Sequence, residues 1–439
     1  MTAEIGILNK TAVALAADSA VTIPKLQGHK IYNSANKLFA LSKYHPVGIM
    51  LFGGATFMGV PWETIIKVYR SRLKSTKFKT LKQYADNFIE FVSASGSTFI
   101  PMKQQEDYVK SHVRGYFQMI KAKIKKQLEQ AVGKQGKLNE GQIADIVKEI
   151  IVQFLNESEK SGFLASVTDE NKKEFLSKFD EEINKTIPVV FEKLPIDEDV
   201  ARNLKNIAMG LFFRSGNFTK DTSGIVFSGF GDDEIFPSIY AYRFECIVEN
   251  IPKYIEHTSG SIHFDNNALI VPFAQSEMVH TFIEGIDPSL EQLSLGYLSQ
   301  VFEKYPDILL EEVQVKDGLD KKELSAKLKG ISQNILKDYI EKNKKYRQDV
   351  HVAPIVNIVS ILPKDELASM AEALVNLTSF KRRVTMDAET VGGPIDVAVI
   401  SKGDGFVWIK RKHYFKPELN PHFFKNYFRE GGEDEIEQE

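Results

Sequence analysis

Four short runs rich in Ile, Val, Leu and Phe crowd the start of the chain, at residues 2–8, 11–17, 37–42 and 47–53. Runs this short and this apolar read as buried strands rather than helices. They are followed by two helical stretches, Trp62 to Leu73, with Pro61 close to its start, and about Leu81 to Val92. Thr2 heads the first run. Methionine aminopeptidase removes Met1 when the next side chain is small, so the mature chain is expected to begin with a threonine. Such a residue carries a hydroxyl nucleophile and a free α-amine with a pKa of about 8. That pair is a recognised variant of the nucleophile-plus-base arrangement. Taken alone, Met-Thr is equally an ordinary way to start a strand.

The segments that follow set Thr2 in a pattern. Ala12-Val13-Ala14-Leu15-Ala16-Ala17-Asp18-Ser19 is followed by Thr22, then by Asn36-Lys37-Leu38-Phe39-Ala40-Leu41. Gly48-Ile49-Met50-Leu51-Phe52-Gly53-Gly54-Ala55 then leads into the first helix. Far downstream comes Asp387-Ala388-Glu389-Thr390-Val391-Gly392-Gly393-Pro394-Ile395-Asp396-Val397-Ala398-Val399-Ile400, followed by Lys402-Gly403-Asp404-Gly405. This order resembles the proteasome β-subunit family and the peptidase subunit of the bacterial two-component ATP-dependent protease, which are N-terminal nucleophile (Ntn) hydrolases. The N-terminal part of the resemblance covers residues 2–95.

The resemblance implies a role for each matching residue. Thr2 is the nucleophile. Lys37 lies beside it as an ammonium that favours the alkoxide and the free amine, because like charges oppose protonation. Asp18 holds that lysine. Lys30, in His29-Lys30-Ile31, is a rival for the same role, because the Asp18–Lys37 separation is a few residues longer than the family usually has. Gly53 supplies a backbone N–H to a developing oxyanion. Asp387 and Thr390 match the family's late Asp-x-x-Ser pair, with Thr replacing Ser and one extra residue, Val391, before the Gly-Gly. An alternative register puts Ala388 at the acidic position. Ser276, in Pro272-Phe273-Ala274-Gln275-Ser276-Glu277, is a candidate for the remaining serine, although the usual Gly-Ser-Gly is missing. Ala20 and Thr22 fall where the family binds substrate backbone in an extended, strand-adding mode. Read without the resemblance, Asp18 is a turn residue, Lys37 a solvated lysine and Gly53 a strand-end glycine.

Between the matching blocks the pattern changes. Ile143, Ile146, Val147, Ile150, Ile151, Phe154 and Leu155 recur at helical spacing. Segments 104–132, 164–186 and 198–213 also read as helical, so 100–220 is read as an inserted helical subdomain. The core resumes at 221–288 with strand-like runs at 225–231 and 238–244, and a helix is expected at about 274–285. Residues 289–350 read as a second helical insertion, 351–415 as the last part of the core and 416–439 as a tail, acidic and disordered from Gly431 onward. Leu367, Met370, Ala371, Leu374 and Leu377 make a helical stripe that starts near Pro363, Asp365 and Glu366.

Composition narrows the function. A net charge of −3 over 439 residues argues against a nucleic-acid binder or a membrane-surface protein. Cys246 is the only cysteine, which suits a reducing cytoplasm. No secretory signal and no spanning apolar run is expected. The nine histidines show no His-Glu-x-x-His spacing, so no metal or other cofactor is expected. A phosphate-binding P-loop is missing, so any ATP-driven unfolding must come from another protein.

The expected fold is α+β: a four-layer αββα Ntn-hydrolase sandwich, two antiparallel sheets between helical layers, with helical insertions. The expected function is a threonine peptidase that cleaves peptides or unfolded protein through a covalent acyl-enzyme. By resemblance it works in a homo-oligomeric ring, with a separate ATP-dependent unfoldase. Two alternatives stay open: an Ntn amidohydrolase acting on small amides, and a scaffold or regulatory protein that kept the fold without catalysis.

Overall fold

The computed structural model describes residues 2–25, 28–216, 218–219, 222–312, 320–385 and 391–428. The first two apolar runs form β1 (Ala3–Asn9) and β2 (Ala12–Ala17), and every residue of β2 is buried. Asn9 closes the turn between them: its Oδ1 accepts from the Thr11 and Ala12 N–H groups at 2.9 and 3.1 Å. The hairpin β3 (Val21–Lys25) and β4 (Gly28–Tyr32) follows, then β5 (Leu38–Ala40) and β6 (Val47–Gly53). A small pair, β7 (Thr56–Phe57) and β8 (Val60–Pro61), leads into α1 (Trp62–Leu73). Next are α2 (Leu81–Ala94), opened by a reciprocal Thr80–Gln83 capping box, and the short α3 (Gly96–Phe99).

Four long helices come next: α4 (Met102–Gln135), α5 (Glu140–Glu159), α6 (Asp169–Phe191) and α7 (Glu198–Phe213). Asn139, Thr168 and Asp197 cap the last three through side-chain oxygens. Their apolar faces enclose a core of their own, with Phe117, Ile151, Phe175 and Phe213 at its centre. The chain then makes β9 (Ser223–Gly229), β10 (Ser238–Val248), β11 (Ile251–Ser261) and β12 (Ala268–Ala274). Beyond them lie α8 (Glu277–Glu284), α9 (Pro288–Glu312) and α10 (Lys321–Arg347). A π-helical turn, Gln348–Val352, joins α10 to α11 (Ala353–Ile361), and α12 (Lys364–Val384) precedes β13 (Asp396–Ser401), β14 (Gly405–Lys410) and α13 (Pro421–Phe428).

The strands form two five-stranded sheets, ordered β12-β1-β2-β13-β14 and β11-β10-β9-β6-β5, and all neighbours are antiparallel. Pairing of β13 with β2 brings the late part of the chain beside its start. Side chains alternate across a strand. On β1, Ala3, Ile5 and Ile7 therefore pack outward against Val359 of α11 and Leu367 and Leu374 of α12. The opposite face looks toward the second sheet, where Leu8, Leu15, Met50, Val226, Ile239 and Ile400 share one buried cluster. Gly6 lies on that inner face, and a Cβ there would meet Ile239 Cδ1 at 2.7 Å, so the sheets approach closely only because the position is glycine. Helices α1 and α2 cover the outer face of the second sheet through Trp62, Tyr69 and Phe88 against Phe227 and Phe244.

Several expectations shift. The strand read over 37–42 is Leu38–Ala40. The helix expected near 274 begins at Glu277, because Ala274 is still paired with Ala3 on the sheet edge. Strands β3, β4, β11 and β12 were not anticipated. The tail from Gly431 lies outside the described residues. Among the described residues no helix is long and apolar enough to cross a membrane.

Trp62 is fully buried and meets Phe57, Phe88 and Phe244 with ring centroids 4.8–6.3 Å away, while its indole N–H has no acceptor among the described residues. Trp62→Ala is expected to cost about 3–5 kcal/mol in urea unfolding. Trp62→Phe is expected to cost much less, since no hydrogen bond is lost with the indole.

Candidate active site

Thr2 immediately precedes β1 and Glu4 lies on it, two residues on and therefore on the same, inner face. Asp18 follows the last residue of β2, Lys37 precedes β5, and Gly53 ends β6. These strand ends converge. Thr2, Glu4, Asp18 and Lys37 are each at most 4 % exposed.

Asp18 is the hub. Its Oδ1 accepts from the Ala3 N–H at 3.2 Å and from the Lys37 ammonium, and its Oδ2 from the N–H groups of Gly392 at 2.9 Å and Ala20 at 3.3 Å. One carboxylate thus ties the start of β1, the loop after β2, the Lys37 segment and the approach to β13. Lys37 is held further by its own carbonyl, which accepts from the Leu51 N–H at 2.8 Å. Its Nζ also lies 3.2 Å from Glu4 Oε1.

The Thr2 hydroxyl donates to Glu4 Oε2 at 3.0 Å and accepts from the Gly53 N–H at 3.3 Å. Gly53 has φ +74°, a left-handed conformation in which any Cβ would also meet the Thr222 carbonyl at 2.9 Å. Glycine therefore aims this amide at Thr2. The Thr2 carbonyl accepts from the Gln275 N–H at 3.1 Å, and Gln275 Oε1 accepts from Arg382 Nε at 2.7 Å. The next residue, Ser276, stands at the start of α8 without a capping bond from its side chain.

Of the residues singled out from the sequence, Thr2, Asp18, Lys37 and Gly53 meet here, and Ala20 joins through its N–H. Lys30 does not: it is exposed on β4, with Nζ 4.8 Å from the Tyr32 ring centroid. Thr22 pairs with Ile31 in the β3–β4 hairpin. Asp387 and Thr390 lie outside the described residues. Glu4 was not anticipated, although strand alternation from Thr2 pointed to it. Gly392 and Gln275 also entered the site unannounced.

Burial dominates the electrostatics of Glu4. Removal from water pushes its carboxyl from an ordinary 4.5 up to about 8, and the neighbouring Asp18 carboxylate adds to this. The Lys37 ammonium and the Thr2 hydroxyl pull it back only in part. No family model matches the chain, and no curated protein matches it either.

A carboxyl whose folded-state pKa is raised favours the native state while protonated. Its contribution is complete below about 4.5 and is lost as the pH climbs through about 8. At 1.36 kcal/mol per pKa unit the loss is at most about 5 kcal/mol. Urea midpoints measured from pH 5 to 9 are expected to fall more steeply for the unsubstituted protein than for Glu4→Gln, whose side chain has no charge to desolvate.

Proposed function

We propose that this chain is a proteasome-like threonine peptidase: an Ntn hydrolase with an αββα core that cleaves peptide bonds through an acyl-threonine once Met1 has been removed. One observation carries the reading. Four residues from separate segments converge: the Gly53 N–H reaches the Thr2 hydroxyl at 3.3 Å, and Asp18 joins the Ala3 N–H, next to Thr2, to the Lys37 ammonium.

The chemistry follows from that arrangement. Thr2 Oγ1 attacks the carbonyl carbon of a peptide laid against the cluster, and its proton passes to a base. The α-amine of a chain beginning at Thr2 is one such base. Charge developing on the carbonyl oxygen is met by the Gly53 N–H, which already lies beside the attacking oxygen. A fixed amide acts without reorganising, and loss of one such donor typically costs about a hundredfold or more in rate. Lys37, fixed by Asp18, is an ammonium close to the reacting centre and opposes protonation of the amine. Asp18 acts through Lys37 and through the backbone it ties, as a positioning residue. Substrates are peptides and unfolded polypeptides. The protein works in the cytoplasm as a homo-oligomer, with unfolding left to a separate ATP-dependent partner.

Thr2→Ala keeps a small residue after Met1 and a free amine but removes the nucleophile. It is expected to lower hydrolysis of dye-quenched casein by at least about a thousandfold. Thr2→Ser, which keeps the hydroxyl, is expected to stay within about tenfold of the unsubstituted rate. Equal rates for all three proteins would refute the peptidase reading.

A further inference from the structure

Glu4 is the one group in the cluster without a part in the reaction derived so far. Its side chain is fully buried, which is costly for a carboxylate unless partners compensate. Among the described residues it has two: the Lys37 ammonium at 3.2 Å from Oε1 and the Thr2 hydroxyl at 3.0 Å from Oε2. Asp18 offers the contrast. Both its oxygens are taken up by three backbone N–H groups and the Lys37 ammonium, and neither hydrogen-bonds to Thr2. Two carboxylates thus share one lysine, one locked into the frame and the other aimed at the nucleophile. Paired titratable groups in such unlike surroundings are how acid–base roles divide within one site.

We propose that Glu4 is a catalytic base of this site, taking the Thr2 hydroxyl proton directly, so that proton removal does not depend on the α-amine alone. The proposal rests on the threonine-peptidase reading and deepens it. As Oγ1 bonds to the scissile carbon, its proton moves to Glu4 Oε2 and the carbonyl π pair moves onto oxygen. On collapse that pair re-forms the carbonyl, the C–N bond breaks, and Glu4 returns the proton to the departing nitrogen. The acyl ester on Thr2 then takes a water. Glu4 accepts the water proton as the new C–O bond forms and returns it to Oγ1 as the ester bond breaks. Carboxylic acid and amine are the products, and Glu4 ends as it began.

The groups facing Glu4 are consistent with this role. Among the described residues Lys37 and Asp18 are the charged ones, and the Thr2 α-amine becomes a third when freed. The cross-strand neighbours Ala17 on β2 and Phe273 on β12 carry no charge. With its carboxyl near 8, Glu4 is a base on the alkaline side and is protonated and idle as the pH falls. A catalytic group titrating close to working pH is the favourable case for proton transfer.

The test uses the full chain beginning at Thr2 and a fluorogenic peptidyl-coumarin amide, from pH 5.5 to 10. Glu4→Gln is expected to lower kcat by about a hundredfold or more, with KM within about twofold. Its acid limb should also lose one titrating group, and Glu4→Asp should recover part of the rate with a displaced limb. Unchanged kcat and pH profile in Glu4→Gln would overturn the proposal. The second measurement needs no substitution: the unsubstituted protein is acetylated selectively at the Thr2 α-amine. A chain keeping at least about a tenth of its rate after acetylation supports Glu4 as base. Complete loss overturns the proposal, even where Glu4→Gln does not fold. Activity in the untreated protein with either overturning result removes only Glu4's role. An untreated protein with no activity at any pH removes the peptidase reading and Glu4's role together.

Discussion

The Lys37 ammonium, buried between the carboxylates of Asp18 and Glu4, is the interaction on which this structure turns. Removing a charge from water costs several kcal/mol, and attraction to a partner offsets this only where the geometry and the remaining hydrogen bonds are good. Asp18 meets that condition with four donors. Glu4 meets it less fully, and its raised pKa is the consequence.

Sheet architecture makes the cluster possible. Strands β1, β2, β5 and β6 bring their ends together where the two sheets face each other, so residues far apart in sequence come within hydrogen-bond reach. The backbone contributes as much as the side chains. Gly6 permits the close approach of the sheets, Gly53 turns its N–H toward Thr2, and Gly392 brings the segment before β13 onto Asp18. The long helices α4–α7 bury their apolar faces against one another and touch the sheets through Cys246 and Val248 of β10. They add a second core without entering the Thr2 cluster.

Much of this could be read from the chain. The buried strands β1, β2 and β6 are continuous apolar runs, α1 and α2 have clear starts, and α12 carries an apolar stripe. What escaped notice lacks such signals. Strand β11 is an edge strand of half-exposed, mostly polar residues, and β12 is an edge strand containing Pro272, a residue that argues against a central strand. Glu4 escaped because one acidic residue in an apolar run looks like an exposed position. Its meaning appears only when Lys37, brought in by another strand, supplies the countercharge. Lys37 was separable from Lys30 because it opens an apolar strand run, and the structure places Lys37 against Asp18 while Lys30 lies exposed on β4.

The central claim is that Thr2 is the nucleophile of a chain that begins there. Its most direct test is intact mass and N-terminal sequencing of the purified protein before and after treatment with a β-lactone probe. The account predicts a chain that starts at Thr2 and gains one probe mass on that residue. A chain that retains Met1, or one that starts at Thr2 and takes up no probe, would contradict it.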